Sequence, residues 1–387
     1  MNNTLCSAAW YDLNIDFGKQ KLRHCCKQTF EEFPDKLENS FFDQSQHIQN
    51  VRNDLINGVE NSTCDHCWSS YKKTGTAYRD FKNKWKTKDD IDPRVDSIEI
   101  SLDNLCDMSC VYCDVMFSSR IASEFGLKAQ VQTPNKEHMD KFIKYLETDP
   151  SIRDGFSLSF LGGEVTYSKN FFYFVDRMLE STLINKRINF GFLTNANTTE
   201  KIMNKVKILL DKIPNNWNLS IGVSNEAMGE VAENVRHGLD FNRFDKNFRY
   251  YANHARVECI TISPTPSIFT VKELPAFFEY CIDVIKNAQQ KTRIAIFGNW
   301  VEWPEILDPK HLDKEYIQYV NQAIDIVENA RSVFDDNNQI SHTLRWLEML
   351  KQRIGTGSLD REEIDKFITH KVEIKNNKNL EKLRTYI

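Results

Sequence analysis

No stretch of about 20 consecutive apolar residues occurs in the chain, so no membrane-spanning helix is expected. The opening residues, MNNTLCSAAWYDLN, have neither the basic flank nor the apolar run of a signal peptide. The hydrophobic segment that should precede a lipoprotein cysteine at Cys6 is also missing. There is no internal repeat and no low-complexity linker. An excess of positive charge is absent too. With 50 Lys and Arg against 55 Asp and Glu, the net charge is -5, which argues against a dedicated nucleic-acid binder. The densest basic run, Lys82 to Lys88, alternates with other residues and passes at once into Asp89 and Asp90, the pattern of a solvated edge. Histidine is absent from residues 67 to 137.

What is present is the composition of a soluble globular protein: 41% hydrophobic and 27% charged over 387 residues, enough for two or three domains. Ten cysteines are unevenly spread. Cys6, Cys25, Cys26, Cys64, Cys67, Cys106, Cys110 and Cys113 all precede residue 114, and only Cys259 and Cys281 follow. Without a signal peptide the expected compartment is reducing and cytoplasmic. Clustered thiols there point to metal rather than to disulfides.

Composition divides the chain at about residues 92 and 305. Residues 1–92 read as a loop-rich, cysteine-rich module. Within 93–305 six short runs recur: Ser97–Asn104, Ser157–Glu164, Asn189–Asn197, Asn218–Asn225, Arg256–Pro264 and Arg293–Trp300. Their length and their β-branched or aromatic content predict strands. Segments with helical spacing lie between them, such as Met139, Phe142, Ile143 and Leu146, or Phe171, Phe174, Val175 and Met178. Strand–helix alternation implies parallel strands with right-handed crossovers. Six units are too few to close an eight-stranded barrel, so the predicted class is α/β, a partial (β/α)6 TIM-like barrel with a Cys-rich N-terminal cluster module and C-terminal helices. Residues 306–387 supply those helices, on faces such as Ile317, Val320, Ile324, Val327 and Phe334, or Leu344, Leu347 and Leu350.

The strand runs end in polar or glycine residues: Asp103-Asn104, Gly162-Gly163-Glu164, Thr194-Asn195, Ser224-Asn225, Ser263 and Asn299. In parallel barrels chemistry collects at that rim. Residues 106–113 read CDMSCVYC, two residues beyond the first run. A closed zinc site takes four ligands, and a [4Fe-4S] cube usually takes four cysteines. Three thiolates leave one iron open to chelate a substrate or cofactor.

Cys106-xxx-Cys110-xx-Cys113, with Tyr112 before the last cysteine, and Leu161-Gly162-Gly163-Glu164 after the second strand together resemble the radical S-adenosylmethionine (SAM) superfamily. The resemblance spans about residues 96–300. It implies that a [4Fe-4S] cluster on Cys106, Cys110 and Cys113 chelates SAM and reductively cleaves it. The resulting 5'-deoxyadenosyl radical takes a hydrogen atom from a peptide or small-molecule substrate. It also implies that Gly162, Gly163 and Glu164 lie at the methionine moiety and Tyr112 near the adenine. Ser224 and Asn225 become candidates for ribose or carboxylate contacts, and Arg236 for a fork on the SAM carboxylate. Thr194 and Asn195 occupy the same rim, where capping of the next helix is the competing role. An electron donor such as a flavodoxin or ferredoxin is the implied partner.

Cys6-xxx-Trp10, Gly18, Cys25-Cys26 and Cys64-xx-Cys67 resemble the auxiliary-cluster modules called SPASM or twitch, over about residues 4–80. The resemblance implies a second [4Fe-4S] cluster on Cys6, Cys25, Cys64 and Cys67, with Cys26 as the alternative to Cys25. A four-cysteine zinc site is the other reading. His24 and His66 flank these ligands and either tune or replace one or are bystanders. Cys259 and Cys281 read as buried packing residues. Asn299–Pro304, with Trp300, Glu302 and Trp303, is a substrate wall, a lid over the barrel base or a dock for the C-terminal helices. Glu226, Glu230 and Glu233 read as a solvated helix face. Two other functions stand beside the radical SAM oxidoreductase: radical SAM modification of RNA or a nucleotide, and a non-catalytic zinc- or cluster-binding interaction protein.

Overall fold

All six expected strands form, and three more precede them. In the computed structural model, residues 1–3, 75–76, 83–87, 93, 128–131, 289–291, 302, 334–336, 359 and 376 are not described. Glu302, Phe334 and most of the Lys82–Lys88 run therefore lie outside the described residues. The strands are β1 (Asp12–Asp16), β2 (Lys21–Arg23), β3 (Glu31–Glu32), β4 (Val95–Ser101), β5 (Ile152–Leu161), β6 (Ile188–Thr194), β7 (Trp217–Val223), β8 (Val257–Ile262) and β9 (Arg293–Ile296). They make one sheet in the order β3-β2-β1-β4-β5-β6-β7-β8-β9. From β4 to β9 every neighbour is parallel, as strand–helix alternation requires.

The sheet does not stop at residue 92. β1 pairs in parallel with β4, from Asp12 opposite Ser97 to Asp16 opposite Ser101, and β2 and β3 continue it antiparallel. The parallel part thus has seven strands, not six. The sequence reading missed β1 because aspartates flank it, yet Leu13, Ile15 and Phe17 are buried at the two-residue period of a strand.

One face of the sheet carries the core. Phe156, Leu158 and Phe160 of β5, Phe190 and Phe192 of β6, and Leu219 and Ile221 of β7 are buried. Helices Lys136–Thr148 and Lys169–Leu179 cover this face, with Phe171 packing its ring 5.2 Å from that of Phe160 and Phe142 lying 5.8 Å from Phe17. The other face is polar and only partly buried. One register row across it runs Asn14, Glu99, Ser159, Gly191, Ser220 and Cys259. Cys259 is therefore not a core residue: a register shift between β7 and β8 sets it opposite Ser220, on the polar face. Cys281 is fully buried.

The C-terminal helices Ile317–Asn329, Asn337–Arg353 and Arg361–Lys375 pack on the parallel end of the sheet and on the rim loops. Trp346 lies against Gly298, and its ring is 6.0 Å from that of Trp300, so Trp300 docks a C-terminal helix. Trp303 is exposed. Among the described residues, no helix is long and apolar enough to cross a membrane.

Candidate functional site

The loop bearing Cys106, Cys110 and Cys113 leaves the carboxyl end of β4 and is clamped from four sides. The double glycine forms one clamp. Gly162 has φ +138°, and a Cβ there would lie 2.8 Å from the Asp103 carbonyl oxygen. A Cβ on Gly163 would overlap the Leu105 carbonyl oxygen. The Glu164 N–H donates to that same oxygen at 2.6 Å. The glycines therefore let the end of β5 run directly beneath the backbone that leads into Cys106.

Glu164 is fully engaged inside the protein. Its carboxylate accepts from the Thr166 N–H and hydroxyl (3.1 and 2.6 Å), the Thr194 hydroxyl (2.8 Å) and the Asn195 N–H (2.6 Å). Burial pushes its pKa up to about 7 in spite of these donors. Thr194 and Asn195 thus bind the β5 and β6 ends together through Glu164. The Asn195 side chain goes further and donates to Asp107 at 2.8 Å, and Asn197 donates to the other Asp107 oxygen at 2.8 Å. Asp107 lies between the first two cysteines, so this pair of asparagines is the second clamp.

The third clamp is the helix Gly229–Val235 and its exit. Ser109 N–H donates to the His237 carbonyl at 2.8 Å and Val111 N–H to the Val235 carbonyl at 2.9 Å. Here Arg236 and Glu226 form a buried ion pair, with Arg236 Nε 3.0 and 3.1 Å from the two carboxylate oxygens. The Tyr112 hydroxyl donates to the same carboxylate at 2.7 Å, and the guanidinium stands 5.6 Å from the Tyr112 ring centre. Arg236 accordingly has an internal partner where the sequence suggested a fork on a ligand. Glu226 is 0% exposed and lies before the helix, not on a solvated face of it. Glu230 pairs with Lys382, and Glu233 accepts the Phe241 N–H at 2.9 Å. Ser224 is tied by its N–H to the Thr194 carbonyl at 3.0 Å. Asn225 is fully buried, donates to the Ala227 carbonyl at 3.0 Å, and leaves its side-chain oxygen without a hydrogen-bond partner among the described residues. The fourth clamp comes from the C-terminal helix through Lys375, whose ammonium donates to the Ser109 carbonyl at 2.8 Å.

The three thiols are buried, and two of them feel the charge of a neighbouring cysteine. Burial raises all three pKa values, that of Cys110 to about 12, and neighbouring cysteine charge adds to the rise at Cys106 and Cys110. Arg236 opposes it at Cys110 and Cys113. The Met108 N–H points at the Cys106 sulfur from 3.5 Å.

A second thiol group sits at the other end of the strands. Cys6 precedes β1, and Cys25 follows β2, which runs back antiparallel, so both lie at the amino-terminal rim. Four strand steps separate the rims, on the order of 13 Å before the loops are added. Cys6, Cys25, Cys64 and Cys67 line one small cavity with Ala8, Ala9, Leu55 and Trp68. Cys26 does not line it. The Lys27 N–H approaches the Cys25 sulfur at 3.5 Å and the Gln28 amide approaches the Cys64 sulfur at 3.6 Å. His24 is buried beside Arg52, outside this cavity, and burial depresses its pKa.

Among the described residues, no three Cys, His, Asp or Glu side chains close to the spacing of a single metal ion. The fit of a cluster rests on the donor sets instead. At the amino-terminal rim, four thiols ring a cavity with apolar walls and amide hydrogens aimed at two sulfurs. At the carboxyl rim, three thiols stand on a clamped loop near the buried Glu226–Arg236 ion pair.

Asp107, Asn197, Glu226 and the lysines of the C-terminal helix were not singled out as site residues by the sequence. The one signal for Asn197 is its alternation with Asn195 directly after a strand.

No family model matches the chain, and no curated protein matches it. Partial likeness to solved structures exists. The enzyme anSMEcpe with bound AdoMet and the Cp18Cys peptide aligns at 14% identity and TM-score 0.43, over 60% of this chain and 60% of that one. Streptococcus suis SuiB bound to the precursor peptide SuiA aligns at 14% identity and TM-score 0.42, over 84% of this chain and 70% of that one. SuiB bound to S-adenosylmethionine aligns at 15% identity and TM-score 0.41, over 72% and 52%. At such scores these likenesses establish neither family nor activity.

Proposed function

We propose that the protein is a radical SAM enzyme acting on a peptide or small molecule, with a partial-barrel sheet, one SAM-binding [4Fe-4S] cluster and one auxiliary [4Fe-4S] cluster. The observation that carries the reading is the backbone contact between Gly162-Gly163-Glu164 and Asp103–Leu105, because it couples the two motifs directly at the site of the thiols. Cys106, Cys110 and Cys113 would hold the first cluster, and Cys6, Cys25, Cys64 and Cys67 the second. When bound, the three-thiolate cluster supplies one electron to SAM, and the radical so made takes hydrogen from the substrate.

The residues of the chain contribute position and environment. Asp107, held by Asn195 and Asn197, fixes the loop between the first two cysteines. The Glu226–Arg236 pair orients the Tyr112 ring beside the cysteine loop. The orphan oxygen of Asn225 is an acceptor at the end of β7, suited to a hydroxyl or ammonium donor of a ligand. The polar sheet face, with Asn14, Glu99, Ser159 and Ser220, offers hydrogen bonds to a substrate in place of the packed interior of a closed barrel.

The test is anaerobic reconstitution of the full chain. About eight irons per chain fit two clusters and about four fit one. Addition of SAM and dithionite should yield 5'-deoxyadenosine, and Cys110→Ala should abolish it. Continued cleavage of SAM by Cys110→Ala would overturn the site.

A further inference from the structure

A charged cleft that no part of the cysteine site uses lies between helix Glu200–Lys212 and helix Phe241–Asn253. Its volume is about 630 Å³, within the range of a ligand site. The walls carry four cations, Lys207, Arg243, Lys246 and Arg249, against two carboxylates, Glu200 and Asp240. Two of the cations are already engaged. Arg243 pairs with Asp240 at 3.2 Å, and Arg249 lies 2.8 Å from both Asp245 and Asp283. The two lysines have no ion-pair partner among the described residues. Lys246 is exposed, and the Lys207 ammonium stands 4.8 Å from the Tyr250 ring centre.

The charge is segregated. The two helices carry seven Lys and Arg against three Asp and Glu, in a chain whose net charge is -5. A cleft of one sign on a protein of the other concentrates a partner of opposite charge. The cleft also adjoins the cysteine loop. The Asn247 amide on its floor donates to the Ala196 and Thr198 carbonyls at 3.0 and 2.8 Å, and the Asn197 side chain between them holds Asp107. Thr198 and Asp240 thus place one end of the cleft at the carboxyl rim. From Glu200 to Lys207 the helix rises about 10 Å, a span that about three residues of an extended peptide cover. A polyphosphate would concentrate its charge where Glu200 and Asp240 repel it, whereas carboxylates spaced along a peptide can each face a separate lysine.

We infer that this cleft docks an acidic segment of the peptide substrate, with carboxylates of that segment facing Lys207 and Lys246. The inference rests on the function proposed above and narrows its substrate to a peptide with acidic residues flanking the reacting one.

The experiment is fluorescence anisotropy of labelled hexaglutamate on the anaerobically reconstituted full chain. Hexaglutamate should bind, hexalysine should not, and the affinity should fall as salt is raised. Lys207→Glu with Lys246→Glu should weaken binding about tenfold, since two attractions become two repulsions. Lys201→Glu with Lys205→Glu makes the same change of net charge at exposed positions of the same helix, outside the cleft, and should leave binding within about twofold. Equal losses in the two double variants, or no binding of hexaglutamate at low salt, overturn the inference. A single-stranded RNA oligonucleotide that binds more tightly than hexaglutamate, and loses that binding in the Lys207–Lys246 variant, overturns it in favour of nucleic acid. Displacement of hexaglutamate by an equimolar flavodoxin overturns it in favour of the electron donor. Anisotropy needs neither reduction nor SAM, so its failure is separate from that of the radical SAM reading. That reading fails if the electron paramagnetic resonance signal that responds to SAM survives in Cys110→Ala.

Discussion

Gly163 lies so close to Leu105 that a side chain on it would overlap the Leu105 carbonyl oxygen and stand 2.8 Å from the carbonyl carbon of Asn104. The obstacle is backbone, which cannot swing aside as a flexible side chain can. Gly163→Ala must therefore displace residues 104 and 105, and with them Cys106. The expected result is loss of one cluster, from about eight irons to about four, with far-ultraviolet circular dichroism retained because the core face of the sheet lies elsewhere. A Gly163→Ala chain with full iron and SAM cleavage would show that the contact yields without harm.

Glu164 is an acid whose folded-state pKa, about 7, lies above its ordinary 4.5. The folded chain therefore binds this proton more tightly than the unfolded chain does. The contribution is stabilising below about pH 4.5 and is lost as pH rises through 7, with a ceiling of about 3 kcal/mol. Glu164→Gln removes the titration. The stability advantage of the wild type over Glu164→Gln should be larger at pH 5 than at pH 8, as measured by urea unfolding. A gap that widens with pH would mean that the four donors, not burial, govern this carboxyl.

The strands and the two cysteine motifs were legible because each is a local pattern. The two-residue period of Phe156, Leu158 and Phe160 and the spacing of Cys106, Cys110 and Cys113 need only neighbouring residues. The polar architecture was not legible. Lys375 and Glu124 are 251 positions apart, and the lysines of REEIDKFITHKVEIK read like any solvated stripe. Hydrophobic periodicity separates apolar from polar faces, but it does not say whether a polar face meets water or another polar surface. The same gap hid the burial of Glu226 and the turn of Cys259 toward the polar side of the sheet. It also explains Glu164 and Arg236, whose types suggest ligand contacts and whose partners turn out to be Thr166, Thr194, Asn195 and Glu226.

Glu226 and Arg236 are both almost fully buried, with side chains 0% and 6% exposed. Removing one partner strands the other charge inside the protein. Glu226→Gln, which leaves the Arg236 cation buried without its counter-charge, should destabilise by about 3–5 kcal/mol. Truncating both, as Glu226→Gln with Arg236→Met, should recover a large part of that loss, because a buried pair is worth far less against an uncharged replacement than against a broken one. A double-mutant cycle on denaturant midpoints checks this. Simple additivity of the two single losses would show that the pair is not coupled.

Cys25 and Cys26 are neighbours in sequence but not in role. Cys25 is buried and lines the cavity with Cys6, Cys64 and Cys67, whereas Cys26 is partly exposed and stands outside that lining. Cys25 opens a turn closed by the Gln28 N–H on its carbonyl at 3.0 Å, and this turn leaves Cys25 on the cavity wall and Cys26 outside it. Cys25→Ser should lower the iron content of the anaerobically reconstituted chain from about eight to about four atoms, the loss of one four-iron cluster. Cys26→Ser should leave it unchanged. The SAM-responsive resonance should persist in both variants, since the triplet at the carboxyl rim is untouched. If Cys26→Ser is the variant that loses iron, the ligand assignment passes to Cys26 and the backbone between residues 24 and 27 must turn when the cluster is built. A chain that retains full iron in both variants, and retains it again in Cys64→Ser, would rule out a cluster in this cavity.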